Sequence, residues 1–584
     1  MAILRFIVRV FALVGLLVVL LAVAIGAWFW DIAGRRQPLP DAIVLELDLS
    51  RPLVDRSPAD PLAAAVFGQD PSVTEVVEAL DRARADPRVK GVLARVGGAE
   101  LGMAKTQEIR DAVARLRGTG RFAIAFADSF GEGASGMRDY YLATAFGEIW
   151  MQPTGTLGIT GVSTSIPFLR GAFDKLGVEP QLEHRRDYKS FSNTFTEQDF
   201  TPQHREMTEW LVRDLFEQMV EGIAVARNLS SDMVRALVDR APLTDREATD
   251  GRLLDRLLYR DEAQSAVRAM AGGGVLVETG NYLDGAGRPN RQGPVVAVVH
   301  GNGPIRRGGD ELGSLLGDEV MAADTISEAI LEAVDDPAVQ AIVFRVDSGG
   351  GSAVASETIR RTVVHARNAR KPIVVSMGDA AASGGYWIAV DADRVIAQPG
   401  TLTGSIGVVS GKFATRGFWD TLGVNWGEVA QGRNAGMFSG VRPFSETERA
   451  RLDALLDETY RNFVQRVAQA RQMPLDAVEA AAGGRVFTGR QARERGLVDE
   501  IGGLQTAIAA AKRLAGIPDE APVTLRDYPR PKGPFGMALE FFGMGEAAQA
   551  IRLVRELRPV LRALAPVVTR REEETVRMPE LGLR

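Results

Sequence analysis

Ser383 lies among small residues in the segment GDAAASGGYWIA (378–389), between two predicted elements. A Val/Ile-rich run (372–375) before it predicts a strand, and the stretch YWIAVDA after it predicts the start of a helix. Small residues let backbone amides approach a ligand closely, so the Ser383 hydroxyl is a candidate nucleophile at a helix N-terminus. The structural alternative is a tight turn in which this serine caps the helix.

Lys189, in the segment HRRDYKSF (184–191), is the candidate general base. A neutral lysine amine can take the proton of a serine hydroxyl while the serine attacks a carbonyl carbon, so such a pair needs no histidine. An ordinary lysine has a pKa of ~10.4. For half of the amine to be neutral near pH 7.5, the charged form must be destabilised by roughly 4 kcal/mol. Burial supplies this energy, so the chemistry requires a desolvated Lys189 without a carboxylate partner. The alternative is a solvated surface lysine.

A glycine-rich segment, VDSGGGSAVASE (346–357), provides a candidate oxyanion hole. Three consecutive glycines between a predicted strand and a predicted helix allow backbone amides and the helix dipole to face an anion. The amide of Gly384, directly after the serine, is a further donor. No Gly-Lys-Ser/Thr sequence follows the glycines, which argues against a nucleotide site.

An internal repeat indicates which elements position these residues. VVEALDRARADPRVKGVLARV (76–96) and ISEAILEAVDDPAVQAIVFRV (326–346), 250 residues apart, both predict a helix, an Asp-Pro turn and a buried strand. The segment 140–162 matches 386–408 without gaps at an offset of 246. Helices alternate with short Val/Ile/Leu-rich strands in both copies, which predicts an α/β fold with largely parallel, buried sheets.

The two copies differ at the reactive positions. Met137 aligns with Ser383, and Ala435 aligns with Lys189, so one copy keeps a lysine and the other keeps a serine. If the turn were purely structural, nothing would explain why one copy lacks the serine and the other lacks the lysine. The repeat therefore favours a Ser/Lys pair over the capping alternative.

The N-terminus predicts a membrane anchor. Residues 11–30 carry no charge and are long enough to span a bilayer as one helix. Arg5 and Arg9 precede this run, which favours a cytoplasmic N-terminus with the rest of the chain outside. The apolar run continues past the possible cleavage site AVA (22–24), which favours an uncleaved anchor over a signal peptide.

The sequence divides into five predicted parts: an anchor (1–35), a first repeat with the lysine (36–283), a Gly/Pro/Asn-rich linker (284–294), a second repeat with the serine (295–515) and a tail (516–584). Apolar residues spaced among arginines at 551–561 predict an amphipathic helix in the tail. This helix docks on its own domain, on a neighbouring subunit or on the membrane. The charged end, 569–584, is predicted to be mobile.

Composition excludes several function classes. The 69 basic and 75 acidic residues are scattered, so no nucleic-acid surface is predicted. The absence of cysteine excludes thiol catalysis, disulfides and cysteine metal sites. The four histidines lack metal-ligand spacing, and we expect neither a metal nor a cofactor.

Four motifs in order, DYKS, DSGGGSAVASE, GDAAASGGYWIA and LTGSIGV, resemble those of the signal peptide peptidase A (SppA) family in its long, double-length bacterial form, protease IV. The resemblance extends from about residue 40 to about residue 515. It implies a membrane-anchored serine protease with two tandem crotonase/Clp-protease-like β-α repeat domains after an N-terminal transmembrane helix.

The resemblance also implies roles for individual residues. Ser383 is then the nucleophile, Lys189 the general base, and Ser405, in LTGSIGV, the residue that orients the lysine. Gly350 and Gly351 match the family's oxyanion turn, to which Gly384 adds an amide. The family usually has proline where this chain has Gly349, so the turn is less constrained before a substrate binds.

The implied substrates are signal peptides left in the membrane and other apolar peptides. Implied partners are the lipid bilayer and further copies of the chain, in a tetrameric bowl. The implied location is the bacterial inner membrane, with the catalytic part on the periplasmic side. Cleavage beside small or apolar side chains is a hypothesis, since no acidic cluster lies near Ser383 in the sequence.

Two other functions stay open. Crotonase-like folds also host acyl-CoA chemistry, but the predicted export anchor argues against it because coenzyme A thioesters are cytoplasmic. A non-catalytic, membrane-anchored oligomeric scaffold predicts that Ser383 and Lys189 tolerate alanine. Neither explains why serine and lysine survive in opposite copies.

Overall fold

The computed structural model describes residues 38–56, 71–309 and 320–529, and the backbone of 575–577. The predicted membrane helix and the predicted amphipathic tail helix lie outside these residues. Within the described ranges, no helix is both long enough and apolar enough to cross a bilayer.

The described residues form twenty strands: β1 (Ile43–Leu49), β2 (Val89–Val96), β3 (Phe122–Ala127), β4 (Glu148–Met151), β5 (Glu179–His184), β6 (Arg256–Leu257), β7 (Val275–Glu278), β8 (Val295–Asn302), β9 (Ile305–Arg306), β10 (Met321–Ala322), β11 (Val339–Ser348), β12 (Gly350–Ser352), β13 (Ile373–Ala382), β14 (Arg394–Ala397), β15 (Leu402–Gly404), β16 (Val409–Ala414), β17 (Val486–Thr488), β18 (Glu500–Ile501), β19 (Thr524–Tyr528) and β20 (Thr575–Arg577).

The helices of the described residues are Val73–Ala85, Met103–Arg117, Met137–Ala143, Arg170–Leu176, Asn193–Thr196, Pro202–Arg227, Ser231–Arg240, Asp245–Asp250, Arg260–Met270, Thr279–Ala286, Ala323–Asp335, Ala353–Asn368, Gly384–Ala389, Arg416–Thr421, Glu446–Arg471, Leu475–Ala481, Gly489–Glu494 and Leu504–Leu514. A 3₁₀ turn spans Ser190–Ser192.

The first sheet has the strand order β6-β4-β3-β2-β1-β7, and all its neighbours are parallel. Its central strands are mostly apolar and mostly buried, as expected for a parallel sheet covered by helices on both faces. The helix Val73–Ala85 ends at Asp86, whose extended backbone precedes a proline. Proline disfavours the helical conformation in the residue before it, so the chain turns there into β2.

The second sheet repeats this arrangement. Its order is β17-β15-β13-β11-β8-β19, and β14 and β18 attach beside β13. The helix Ala323–Asp335 ends at an Asp-Pro turn, Asp336 again having extended backbone, and leads into β11. The predicted repeat of α/β units is therefore confirmed, whereas the crotonase/Clp protease assignment and the domain boundaries stay predictions. The second sheet continues to Tyr528 through β19.

A third, mixed sheet joins the two repeats, with the order β10-β9-β12-β20-β16-β5. In it β5, from the lysine-bearing repeat, pairs antiparallel with β16, from the serine-bearing repeat. This pairing brings the residues after β5 across to the second sheet. The prediction of a mobile end is wrong for residues 575–577, because their backbone pairs with β12 as strand β20.

Candidate active site

Ser383 ends β13 and begins the helix Gly384–Ala389 in a strained backbone conformation, with φ +58° and ψ −116°. Residues other than glycine rarely adopt such a backbone conformation, and it persists where surrounding contacts hold it. Two hydrogen bonds do so: Ser383 N donates to Gly404 O (2.8 Å), and Trp387 N donates to Ser383 O (2.9 Å). The Ser383 side chain makes no capping hydrogen bond. The turn therefore directs the hydroxyl elsewhere.

The hydroxyl meets the predicted base. Lys189 Nζ lies 2.6 Å from Ser383 Oγ, 3.0 Å from Ser405 O and 3.1 Å from Ser405 Oγ. All three residues are fully buried. Residues from both repeats, 194 positions apart, therefore meet in one hydrogen-bonded cluster.

Two glycines determine where Lys189 can lie. Gly484 has φ +84°, and a Cβ there would lie 2.4 Å from Lys189 N. A Cβ at Gly407 would lie 3.1 Å from Lys189 Cδ. Tyr188 N donates to Gly483 O (3.1 Å), which fixes the backbone next to the lysine. The Lys189 stem is thus enclosed by backbone that has no room for larger residues.

Burial lowers the pKa of Lys189 well below its ordinary value, because the ammonium form loses its hydration. Among the described residues, the hydrogen-bond partners of Nζ are two hydroxyls and one carbonyl rather than a carboxylate. None of these uncharged partners offsets the free-energy cost of burying an ammonium group. The site therefore favours a neutral amine with a lone pair beside Ser383 Oγ.

The predicted oxyanion glycines lie beside the start of the Gly384 helix. A Cβ at Gly384 would lie 3.1 Å from Gly351 N, and one at Gly385 would lie 2.5 Å from Ser348 O. Gly350 N donates to Ser348 Oγ (3.1 Å), so this amide is engaged within the turn. Gly351 N and Gly384 thus lie close together at this turn, as the two donors of an oxyanion hole must.

A buried charge cluster, which the sequence analysis missed, supports the strands on either side of the turn. Lys105 Nζ, in the first repeat, lies 2.7 Å from Asp347 Oδ2 and 3.5 Å from Asp379 Oδ2. Lys105 N also donates to Asp379 Oδ1 (3.1 Å), and Ala380 N donates to Asp347 Oδ1 (2.9 Å). Asp347 is the last residue but one of β11, just before the predicted oxyanion turn, and Asp379 lies in β13, four residues before Ser383. The first repeat therefore holds both strands in place.

Arg345 extends this cluster. It is 2% exposed, and its Nη2 lies 3.2 Å from Asp55 Oδ1 and 2.8 Å from Glu108 Oε2, both from the first repeat. Burial opposes its charge, but the carboxylates of Glu108 and Asp55 hold the pKa of Arg345 above its ordinary value. Burial also opposes the charge of Lys105, whose pKa Asp347 and Asp379 likewise raise. The signal available in the sequence was an acidic residue near the C-terminal end of each of two largely apolar, buried strands.

One cavity of the described residues lies in the first repeat, and its lining does not include Ser383, Lys189 or Ser405. It has a volume of about 580 Å³ and is lined by residues between 114 and 148 and by Met270. It contains none of the predicted site residues. The described part of the chain holds no group of side chains suited to bind a metal ion.

Comparison with known proteins gives a consistent result. The profile of peptidase family S49 matches residues 129–272 and 365–518, one segment in each repeat. Protease 4 of Salmonella typhi is 30% identical over 524 residues, which cover 85% of this chain and 82% of that protein. Protease 4 of Haemophilus influenzae is 30% identical, over 76% of this chain and 73% of the relative.

The chloroplastic serine protease SPPA of Arabidopsis thaliana is 29% identical, over 80% of this chain and 69% of the relative. Since the profile occurs twice and protease 4 matches across both repeats, the chain belongs to peptidase family S49 and is a serine peptidase with two copies of the family's domain.

Proposed function

We propose that Ser383 and Lys189 form the catalytic dyad of this peptidase. The observation that supports it is the 2.6 Å approach of Lys189 Nζ to Ser383 Oγ inside a fully buried cluster. The lowered pKa of Lys189 keeps the amine neutral, and a neutral amine can accept a proton. Ser405 accepts hydrogen bonds from Nζ through its carbonyl and hydroxyl oxygens, which directs the remaining lone pair at Ser383.

Peptide hydrolysis then follows in two steps. Ser383 Oγ attacks the carbonyl carbon of the peptide while its proton moves to Lys189 Nζ, and the resulting ammonium gives that proton to the departing amine. A water molecule next attacks the acyl-serine, losing a proton to the amine of Lys189, and the proton returns to Oγ as the carboxylic acid leaves. The amides of Gly351 and Gly384 stabilise the oxyanion in both steps.

The substrates that we propose are signal peptides and other apolar peptides at a membrane surface. The uncharged segment 11–30 would anchor the chain in the bilayer, with the peptidase on the periplasmic side. An apolar surface supports this orientation: Trp426, Val429 and Phe438, which follow β16, are 52%, 99% and 57% exposed. Exposed apolar surface of this kind suits a lipid or apolar-peptide partner. A tetramer open toward the membrane is the proposed assembly.

The test uses detergent-solubilised, full-length protein and a fluorogenic apolar peptide. We expect wild type to cleave it, with kcat/KM rising toward alkaline pH until Lys189 is fully neutral. We expect Ser383→Ala and Lys189→Ala to lose at least about 10³-fold. Circular dichroism and melting temperature of both variants check that the fold is kept.

The matched control is Lys175→Ala, which removes an exposed lysine of the same repeat. It should cleave like wild type. Full activity in Lys189→Ala would refute the dyad, and a wild-type protein that cleaves no peptide would leave the scaffold as the better account. A preference for Lys or Arg before the cleaved bond would refute the apolar substrate class.

A further inference from the structure

The strand that carries the proposed nucleophile contains a bulge just before it. Val346 pairs with Met377, but the next pair is Ser348 with Ala381, so three residues of β13 (378–380) lie opposite a single residue of β11. A bulge of this kind turns a side chain in a new direction, and bulges are common beside active sites. The side chains at this bulge therefore bear on how the site is built.

The bulge directs Asp379 to the first repeat, where its carboxylate caps a helix. The helix Met103–Arg117 begins after Gly102, which has no side chain to cap it. Lys105 N donates to Asp379 Oδ1 (3.1 Å), and Lys105 is the third residue of the helix, where a capping oxygen binds. A Cβ at Gly102 would lie 2.1 Å from Asp379 Cγ. The second repeat thus provides the missing cap of a helix in the first.

The ammonium of Lys105 connects the two sides of the bulge. Lys105 Nζ lies 2.7 Å from Asp347 Oδ2 and 3.5 Å from Asp379 Oδ2. Ala380 N, a backbone donor within the bulge, donates to Asp347 Oδ1 (2.9 Å). The side chains of Lys105 and Asp347 are each 15% exposed, so salt and water screen their attraction weakly.

The two strand ends that Lys105 joins lead to the two parts of the proposed catalytic site. Strand β11 leads from Asp347 into the oxyanion turn, and β13 leads from Asp379 to Ser383 within four residues. The hydroxyl and the oxyanion amides must reach one carbonyl group together, and a displacement of about 1 Å can cost on the order of 10²-fold in rate.

We propose that Lys105 and Asp379 are positioning residues of this peptidase, which set the distance between the nucleophile and the oxyanion turn. This inference rests on the proposed function. It assigns to the first repeat a second contribution, besides the base, to a reaction whose nucleophile lies in the second repeat.

The charges at the bulge predict how this arrangement fails. Burial and the carboxylate of Asp347 raise the pKa of Asp379, whereas Lys105 lowers it. Without Lys105, the two carboxylates repel each other whenever both are ionised, and they are more often both ionised as pH rises. The other charged or titratable groups around the cluster are Asp55, Glu108, Arg345 and His300.

The first test removes the cation. Lys105→Met keeps an unbranched side chain without its ammonium, and it is assayed with the fluorogenic apolar peptide. We expect kcat to fall about tenfold or more at pH 8 with KM within about twofold of wild type, because the misplaced groups act on the transition state. The ratio of kcat to that of wild type should fall a further threefold or so from pH 6 to pH 9. Both proteins contain Lys189, so its titration cancels in the ratio.

The second test restores the balance of charge. Asparagine keeps an oxygen that can accept from the backbone amide at position 105, but it carries no charge. We expect Lys105→Met/Asp379→Asn to regain about threefold or more of the kcat lost in Lys105→Met, with a ratio to wild type that no longer depends on pH. Lys90→Met, which removes an exposed lysine of the same repeat, is the matched control and should behave like wild type.

Melting temperatures of all variants check that the fold is kept. If Lys105→Met does not fold, Asp379→Ala replaces it, since Lys105 then keeps Asp347 as its partner. This variant loses the cap, and we expect its kcat to fall about fivefold or more with KM unchanged.

The outcomes separate this inference from the proposed function. A wild-type kcat in Lys105→Met, or an equal loss with and without Asp379→Asn at every pH, would overturn the inference and leave the dyad intact. Recovery of kcat in the double variant together with a constant ratio would support it. If wild type cleaves nothing, the proposed function fails, and the inference fails with it.

Discussion

The two repeats begin a helix at corresponding points of the sequence and differ in the turn that precedes it and in the side chains found there. In the second repeat, the hydroxyl of Ser383 precedes the helix and meets Lys189. In the first, Met137 begins the corresponding helix, and the carboxylate of Asp139 accepts a hydrogen bond from Gly98 N (3.1 Å). A carboxylate thus lies at the turn after β2, at the place where the second repeat has, after β11, the glycines proposed for the oxyanion hole.

The two repeats also differ in how their equivalent arginines, Arg95 and Arg345, are paired. Arg95 and Asp128 pair at 2.6 Å in the first repeat, with side chains that are 35% and 45% exposed. Arg345, which aligns with Arg95, is buried against carboxylates that the first repeat provides. The first repeat therefore provides the carboxylates that pair with Arg345 of the second repeat, and it also provides the lysine that meets Ser383. The proposed catalytic pair therefore draws on both repeats.

The largest expected effect tests which repeat must provide the base. Lys189→Arg keeps a long cationic side chain but presents a guanidinium, which does not lose its proton in proteins. We expect kcat/KM to fall by at least about 10³-fold at every pH, as in Lys189→Ala. Ser405→Ala, which removes one hydrogen bond to Nζ, should lose about tenfold. Comparable activity of the Arg and wild-type proteins would exclude Lys189 as the base.

Next in size is the difference in support. Arg345→Met removes the cation that pairs with Glu108 and leaves Asp55 with only the more distant Lys105, 4.0 Å away, and we expect the free energy of unfolding to fall by about 3–5 kcal/mol. Arg95→Met, at the exposed pair, should lower it by less than about 1 kcal/mol. Urea denaturation of both variants measures this. Equal losses would mean that the two pairs contribute alike and that the repeats are supported equally.

A pair of glycines isolates the Lys189 contact. Gly484→Ala combines a positive φ with a collision against Lys189, so we expect a loss of about 2–4 kcal/mol in unfolding free energy and a fall in kcat. Gly273→Ala, in the first repeat, has φ +90° and open space around it. It should lose about 1 kcal/mol with unchanged kcat. A normal kcat in Gly484→Ala would mean that the position of Lys189 does not depend on the backbone at Gly484.

Proton linkage gives a smaller effect that needs no substrate. Burial keeps the pKa of Lys189 below 10.5, so between its folded and unfolded values the unfolded chain binds one proton more. The unfolding free energy of wild type should then rise with pH relative to Lys189→Met, by up to about 1.4 kcal/mol per pH unit, until pH 10.5. Denaturation from pH 7 to 10 measures the slope. A flat difference would mean that folded Lys189 keeps its charge.

The smallest effect belongs to the turn of the first repeat. Asp139→Ala removes the carboxylate at this turn, and we expect kcat/KM to change by less than about twofold, because this turn takes no part in the proposed chemistry. Burial raises the pKa of Asp139, so its removal should also leave stability near neutral pH within about 1 kcal/mol of wild type. A large loss of activity would give the first repeat a direct role.

The sequence predicted the repeats, the strand before Ser383 and the helix after it, because each has a local periodicity. It also predicted that Ser383 and Lys189 act as a pair, because the second copy has the serine without the lysine and the first copy has the lysine without the serine. It missed the contacts of Lys105 and Arg345, since ion pairs between segments more than 200 residues apart leave no local pattern. Strand β20 was missed for the same reason: three residues in a charged stretch pair only because two distant edges are available.

The division of the dyad between repeats sets the order in which the enzyme can mature during its own synthesis. Lys189 is made 194 residues before Ser383, an interval of roughly 10–40 s at usual rates of translation. The first repeat can fold in that time, but without Ser383 it lacks the proposed nucleophile. Hydrolysis by the proposed dyad can therefore begin only after Ser383, 194 residues beyond Lys189, has been made.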